Sequence, residues 1–207
     1  MLIIGLTGGI GSGKSSVAMV LKEKGAHLID FDKLAHELEM PETAVWFRIV
    51  REFGDTILTD DGTIDRQKLG KIVFNDRSKL DKLNSIVHPA IIEKWEETTS
   101  AIHKMNNDAI VIGDVPLLFE TKLQRLFDAI ILVYCSQETQ IQRVISRSGL
   151  SRDEVTKRLE AQLPIDKKIA MADFIIDNGG TPLGTKNHID DVWEKLIKMQ
   201  NVRRKVQ

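Results

Sequence analysis

Residues Gly8-Gly9-Ile10-Gly11-Ser12-Gly13-Lys14-Ser15 read G-x-x-x-x-G-K-S, directly after the apolar run Leu2-Ile3-Ile4-Gly5-Leu6. This is a phosphate-binding loop with its strand already in place. Glycines let backbone amides wrap a polyphosphate at a helix N-terminus. A lysine reaches the terminal phosphates and a hydroxyl takes a divalent cation. The motif has this meaning only between a strand and a helix, and both are legible. Leu2 to Leu6 is short and apolar, as in a strand buried on both faces. Val17, Val20 and Leu21 then recur at helical spacing, and Gly25 supplies a helix stop. A glycine turn with no ligand would explain the glycines but not Lys14-Ser15. A dinucleotide-binding fingerprint fails, because Lys14 stands where the sixth position from Gly9 requires glycine. The loop therefore points to a nucleoside triphosphate bound by Gly9, Gly11, Ser12, Gly13, Lys14, Ser15 and Ser16.

Four further short apolar runs follow: His27-Leu28-Ile29, residues 109–112, residues 129–133 and Phe174-Ile175-Ile176. Helix-length segments separate them. Alternation of this kind predicts an α/β fold, a parallel five-stranded sheet covered on both faces. Active residues are then expected at the C-terminal ends of the strands. Residues 60–104 break the alternation. They are polar and helix-rich, open on the turn signal Asp60-Asp61-Gly62, and read as an inserted helical lobe. Residues 136–168 form a second helical stretch rich in arginine. Ile189, Val192, Trp193, Leu196 and Ile197 recur as one face of a packing helix, and Arg203-Arg204-Lys205 reads as a solvated end.

Composition narrows the partners. The 207 residues carry a net charge of −1, so no bulk attraction to nucleic acid or an acidic membrane is expected. There is no run of 18 apolar residues, and the lone Cys135 lies in an apolar run, which reads as a buried thiol in a reducing compartment. The expected location is the cytoplasm, as a monomer or small homo-oligomer.

Phosphoryl transfer needs positioning, charge neutralisation and a group that takes the acceptor proton. Asp30 and Asp32 follow the second strand. Two apart, they would face one side of an extended backbone; one could be a base for an acceptor hydroxyl, the other reading is an N-cap for a helix starting near Lys33, and Asp32 could do both. Asp114, after the third strand, is a candidate Mg²⁺ carboxylate, acting directly or through water, and the other reading is a turn residue before Pro116. Leu117, Leu118 and Phe119 read as core or pocket wall. Arg143 and Arg147 lie one helical turn apart, where they could neutralise the transferring phosphoryl group.

Taken together, these blocks resemble the dephospho-CoA kinase family over nearly the whole chain. The resemblance is carried by Leu6-Thr7-Gly8 through Ser15, Asp30-x-Asp32, Asp61-Gly62-x-Ile64-Asp65-Arg66, His88-Pro89 and Asp114-Val115-Pro116-Leu117-Leu118-Phe119-Glu120. Arg143, Arg147, Arg158, Gln162, Ala172-Asp173 and Asn178-Gly179 continue it. It implies a P-loop kinase core (1–59, 105–135 and 169–207), a helical acceptor lobe (about 60–104) and a lid (about 136–168). It implies Mg²⁺-dependent transfer from ATP to the 3′-hydroxyl of dephospho-CoA. It also implies Asp32 as base, Asp30 as its structural partner, and Arg66, His88, Pro89 and Leu117 on the acceptor. Arg143 and Arg147 fall on the lid and Asn178 on the adenine side. Phe31 stands where alanine is common, His36 where arginine is frequent, and Glu42 after Pro41 where glycine is usual. The rival readings are another small-molecule or nucleoside monophosphate kinase of this fold, and an ATP-binding module without catalysis.

Overall fold

The computed structural model describes residues 1–206, with side chains described through Arg204. The chain divides into two compact units, one of Met1–Ile29 with the residues from His103 onward, the other Asp30–Ile102.

The first unit is built on a five-stranded sheet. Its strands are β1 (Leu2–Gly8), β2 (His27–Asp30), β3 (Ile110–Asp114), β4 (Ala129–Tyr134) and β5 (Phe174–Asp177), in the order β2-β3-β1-β4-β5. β1 pairs in parallel with β3, Leu6 opposite Asp114, and with β4, Thr7 opposite Leu132. β4 pairs in parallel with β5. β3 is buried throughout and β4 nearly so, as strands covered on both faces require, whereas β2 and β5 are partly exposed at the edges. From β1 the chain crosses to one side of the sheet for β2 and β3, then to the other for β4 and β5. The end of β1 is therefore the switch point where such sheets bind ligands, and the glycine loop lies there.

Helix α1 (Lys14–Glu23) leaves that loop. It ends as its sequence requires: Gly25 has φ +105°, and the amides of Gly25 and Ala26 return to Lys22 and Leu21. Val17, Ala18 and Leu21 of α1 share one core with the sheet residues Leu2, Ile4, Leu6, Ile112, Ile131 and Val133. Ile189, Val192 and Leu196 of the C-terminal helix (Pro182–Val206) join them. The basic tail is not simply solvated: Arg203 pairs with Asp128 and Arg204 with Asp108 at 2.9 Å. The side chain of Lys205 lies outside the described residues.

The second unit holds α2 (Phe31–Leu38), α3 (Ala44–Phe53), α4 (Arg66–Phe74) and most of α5 (Arg77–Met105). It begins at Asp30 rather than near residue 60. The reason is its core: Val45 and Ile49 of α3 pack with Ile57, Leu69, Val73, Ile86 and Val87, and Leu38 of α2 joins them. Phe31 is part of this unit's packing, 4% exposed with its ring centroid 5.0 Å from that of Trp95. Glu42, after Pro41, takes φ +68°.

In the first unit, residues 136–168 form α6 (Gln137–Ser148), α7 (Arg152–Glu160) and the start of α8 (Ile165–Met171). Ile141, Val144 and Val155 pack together, and Ile10 of the glycine loop packs against them. The helix Pro182–Val206 is α9.

Candidate active site

The loop between β1 and α1 is held from outside by its carbonyls. Gln140 of α6 donates to the Ile10 carbonyl at 2.9 Å. Arg143 Nη1 and Asn178 Nδ2 both donate to the Ser12 carbonyl, at 3.3 and 2.7 Å. Gln162 accepts from the Ile10 amide at 3.2 Å. With these carbonyls turned outward, the remaining loop amides and the N-terminus of α1 form the concavity that suits a polyphosphate.

The glycines are required by close approach. Gly11 (φ +75°) and Gly13 (φ +84°) have left-handed backbone, and a Cβ on Gly11 would lie 2.7 Å from the Gln140 carbonyl. A Cβ on Gly9 would lie 2.4 Å from Gln140 Nε2, and one on Gly8 would lie 2.6 Å from the buried Ser12 hydroxyl.

Lys14 Nζ bonds Asp114 Oδ1, joining the first residue of α1 to the last of β3. Their side chains are 14% and 9% exposed. The register that sets Leu6 opposite Asp114 brings the two elements together. Ser15 is the second residue of α1 and is exposed, as is Ser16. The Ser15 hydroxyl and the Asp114 carboxylate are hard oxygen donors of the type Mg²⁺ takes, and Mg²⁺ fills its remaining positions from phosphate and water. Among the described residues no group of three or more His, Cys, Asp or Glu forms a cage of its own. With the Ser15 and Asp114 oxygens on offer, the residues fit a divalent metal that takes its other ligands from phosphate and water.

Arg143 and Arg147 differ in their surroundings. Arg143 is half-buried, and its Nη2 donates to the Asn178 carbonyl at 2.8 Å; Arg147, in the last turn of α6, is exposed. Asn178 is held in turn by Thr185, which donates to its side-chain oxygen at 3.0 Å. Cys135 is buried beside the loop, and burial raises its thiol pKa against the opposing pull of Arg143. After β3, Leu118 and Phe119 are core while Leu117 is 42% exposed.

In the second unit, Asp30 is the N-cap of α2, accepting from the Lys33 amide at 3.1 Å. Asp32 lies inside the first turn of α2, exposed. This corrects two expectations. The helix starts at Phe31, so the two aspartates are not on extended backbone, and the cap is Asp30. Arg66 opens α4 and reaches Glu39 at 3.0 Å and His36 Nδ1 at 3.2 Å. Arginine only donates, so Nδ1 of His36 is the acceptor in this contact. Burial raises the Glu39 pKa, and Arg66 opposes it. Arg66, Gln67, Gly70, Lys71 and Phe74 line a shallow cavity of about 470 Å³. His88 is half-buried within α5, and burial lowers its pKa; Pro89 beside it is exposed.

Comparison with known proteins decides the family. The dephospho-CoA kinase family matches residues 2–183. The chain belongs to the dephospho-CoA kinase family. A dephospho-CoA kinase of Syntrophus aciditrophicus is 47% identical over 205 residues, spanning 99% of this chain and 87% of that protein. Among solved structures, TT1252 from Thermus thermophilus is 32% identical with a TM-score of 0.82, covering 94% of this chain and 97% of that one. A dephospho-CoA kinase from Campylobacter jejuni is 30% identical with a TM-score of 0.70, covering 95% and 97%. This kinase therefore acts with ATP and a divalent metal on dephospho-CoA.

Sequence reasoning missed three residues around the loop. Gln140 is buried on a helix whose other inward positions are apolar, and a lone glutamine gives no signal of its partner 130 residues away. Glu120 stood in the Pro-Leu-Leu-Phe-Glu block without a role. Lys168 is 1% exposed, and only the phase of α8 distinguishes it from the exposed Lys167.

Proposed function

We propose that Lys14, Ser15, Asp32, Asp114 and Arg143 carry the family's reaction in this chain, transfer of the γ-phosphoryl group of ATP to the 3′-hydroxyl of dephospho-CoA. The observation that carries this is the glycine loop itself, clamped by its carbonyls and closed by the Lys14–Asp114 pair at the switch point of the sheet.

In this reading the amides of residues 11–15 bind the ATP phosphates and Lys14 exchanges its carboxylate partner for the β- and γ-phosphates. The Ser15 hydroxyl and, through water, Asp114 would hold Mg²⁺, which would supply charge neutralisation to the phosphates. Asp32 takes the proton of the 3′-hydroxyl as its oxygen bonds to the γ-phosphorus and ADP leaves. Arg143 stabilises the charge on the transferring group, and its anchorage at Ser12 and Asn178 favours it over the exposed Arg147. Arg147 closes over from the lid segment. Asn178 bounds the adenine side, and Arg66, His88, Pro89 and Leu117 meet the acceptor. We place the enzyme in the cytoplasm, without nucleic-acid or membrane partners. Among the described residues no helix is long and apolar enough to cross a membrane.

Offering dephospho-CoA, nucleoside monophosphates and gluconate with ATP, and following ADP release, tests the proposal. Turnover is expected with dephospho-CoA alone. Rejection of dephospho-CoA would overturn it, and tight ATP binding with no acceptor-stimulated turnover would favour a non-catalytic module.

A further inference from the structure

Lys168 and Glu120 form an ion pair that stability alone does not account for. Lys168 on α8 is 1% exposed, and its Nζ is 2.7 Å from Glu120 Oε1. Glu120 Oε2 is buried with no hydrogen-bond partner, and the Lys168 ammonium meets Glu120 without hydrogen-bond geometry. A buried pair of this quality is commonly no better for stability than apolar residues of the same size. Its placement gives it another use.

Glu120 stands on a fixed turn. Leu118 and Phe119 before it are in the core, and the Thr121 amide returns to the Leu117 carbonyl at 2.9 Å. From there Glu120 Oε1 also accepts the Leu163 amide at 2.9 Å. The preceding residue, Gln162, accepts the Ile10 amide of the phosphate loop at 3.2 Å. Two consecutive residues thus connect in opposite directions, one to the turn after Asp114 and one to the loop. On this side Ile10 packs against Ile141, Val144 and Val155, and beside that contact the loop borders an open space. Gly9, Gln140, Gln162, Leu163 and Lys168 line a cavity of about 400 Å³. Next to such a space, polar contacts add to packing in setting the position of the backbone.

We propose that Glu120 and Lys168 are positioning residues for the phosphate loop. The buried pair holds residues 162–163 in register with the β3 turn, and Gln162 transmits that register to Ile10. The proposal rests on the assignment of this loop as the ATP site.

The test compares Gln162→Ala, the double variant Glu120→Leu/Lys168→Met and the triple combination, by steady-state kinetics well below each variant's unfolding midpoint. The double variant removes both charges together, so neither is left buried alone. Gln162→Ala and the double variant should each raise KM for ATP on the order of tenfold, the scale of one hydrogen bond. KM for dephospho-CoA should stay within about twofold by the same scale. The triple variant should be no worse than either, because both changes break one relay. A purely structural role would lower the active fraction, and hence apparent kcat, at unchanged KM. An unchanged KM for ATP in the double variant, or multiplicative effects in the triple, would overturn the relay. The unaltered protein gives an independent measurement that needs no variant to fold. Saturating ATP should slow hydrogen exchange at the Leu163 amide by reciprocal coupling, and no slowing would overturn the proposal. Lys14→Ala separates the two levels. If it spares both KM for ATP and kcat, the ATP-site assignment fails with the relay; if it abolishes turnover while the double variant is normal, only the relay fails.

Discussion

Lys14 and Asp114 are bonded to each other at the point where β1 and β3 run side by side, and each is at least 86% buried by side chain (14% and 9% exposed). Each charge offsets the other's burial. Removing one partner leaves the other less compensated, a cost that reaches on the order of 3 kcal/mol for a buried pair. Lys14→Met should therefore destabilise the protein more than Lys14→Met/Asp114→Asn, as read by urea denaturation. Both variants should lose at least about 10²-fold in kcat, the usual effect of removing a group that stabilises transition-state charge. If the single variant is as stable as the double, the pair carries no such coupling.

The two aspartates after β2 should separate by readout. Asp30 caps α2, and Asp30→Ala should cost about 1 kcal/mol of stability, the value of an N-cap, with kcat largely kept. Asp32 is on the exposed first turn, so Asp32→Asn should leave stability nearly unchanged while lowering kcat on the order of 10²–10⁴-fold at near-normal ATP affinity. Denaturation curves and steady-state kinetics on the pair of variants decide it. Near-normal kcat in Asp32→Asn would remove it from the mechanism.

Glycines of similar backbone but different surroundings give a third expectation. Gly11 and Gly25 both have positive φ, at +75° and +105°. A Cβ on Gly11 meets the Gln140 carbonyl at 2.7 Å, whereas one on Gly25 meets nothing within 4 Å. Gly25→Ala should cost about 1 kcal/mol of stability from backbone strain alone and keep activity. Gly11→Ala must displace backbone of α6 and should abolish ATP-dependent turnover at a temperature where the variant is still folded, as monitored by circular dichroism.

These contrasts show what the sequence could carry. The strands were legible because each is an apolar run, and the loop because its spacing is its mechanism. The start of the second unit was not, because Val45 and Ile49 find their partners at Leu69, Val73 and Ile86, and helical period says which face is apolar but not what covers it. The aspartates were misassigned between cap and helix because α2 begins one residue after the strand ends, with no linker to mark the change. Gln140, Glu120 and Lys168 were silent for a related reason. Their roles lie in polar contacts to backbone far away in sequence, which leave no periodicity.

Acid sensitivity should have a component from the second unit. Burial lowers the pKa of His88 below its ordinary 6.5. Above 6.5 the ring is neutral in both folded and unfolded chains. As pH falls through 6.5 the unfolded chain binds a proton first, so stability declines until the folded pKa is passed. His88→Gln should flatten that decline, measured as urea midpoints at successive pH values below 6.5. The carboxylates of Asp61 and Glu138 act in a lower window. Each is held down to about 2, by Thr59 and Thr63 for Asp61 and by Arg152 and Gln142 for Glu138. Their contribution is present above their ordinary values of 3.8 and 4.5 and is lost as pH falls toward 2. An unchanged pH profile in His88→Gln would show that the histidine contributes nothing to the upper window.

Glu42 offers a gain rather than a loss. It follows Pro41 in the connection between α2 and α3 and holds φ at +68°, the left-handed region that side chains resist. Glycine has no Cβ to strain. The relief of about 1–2 kcal/mol is partly offset by the greater freedom of glycine in the unfolded chain, about 0.5–1 kcal/mol. Glu42→Gly should therefore raise stability by about 0.5–1 kcal/mol, or the midpoint of thermal unfolding by about 1–4 °C for a chain of this size. Calorimetry on the two proteins checks it, and a lower midpoint for the glycine variant would mean that contacts of the Glu42 side chain outweigh the strain of its backbone.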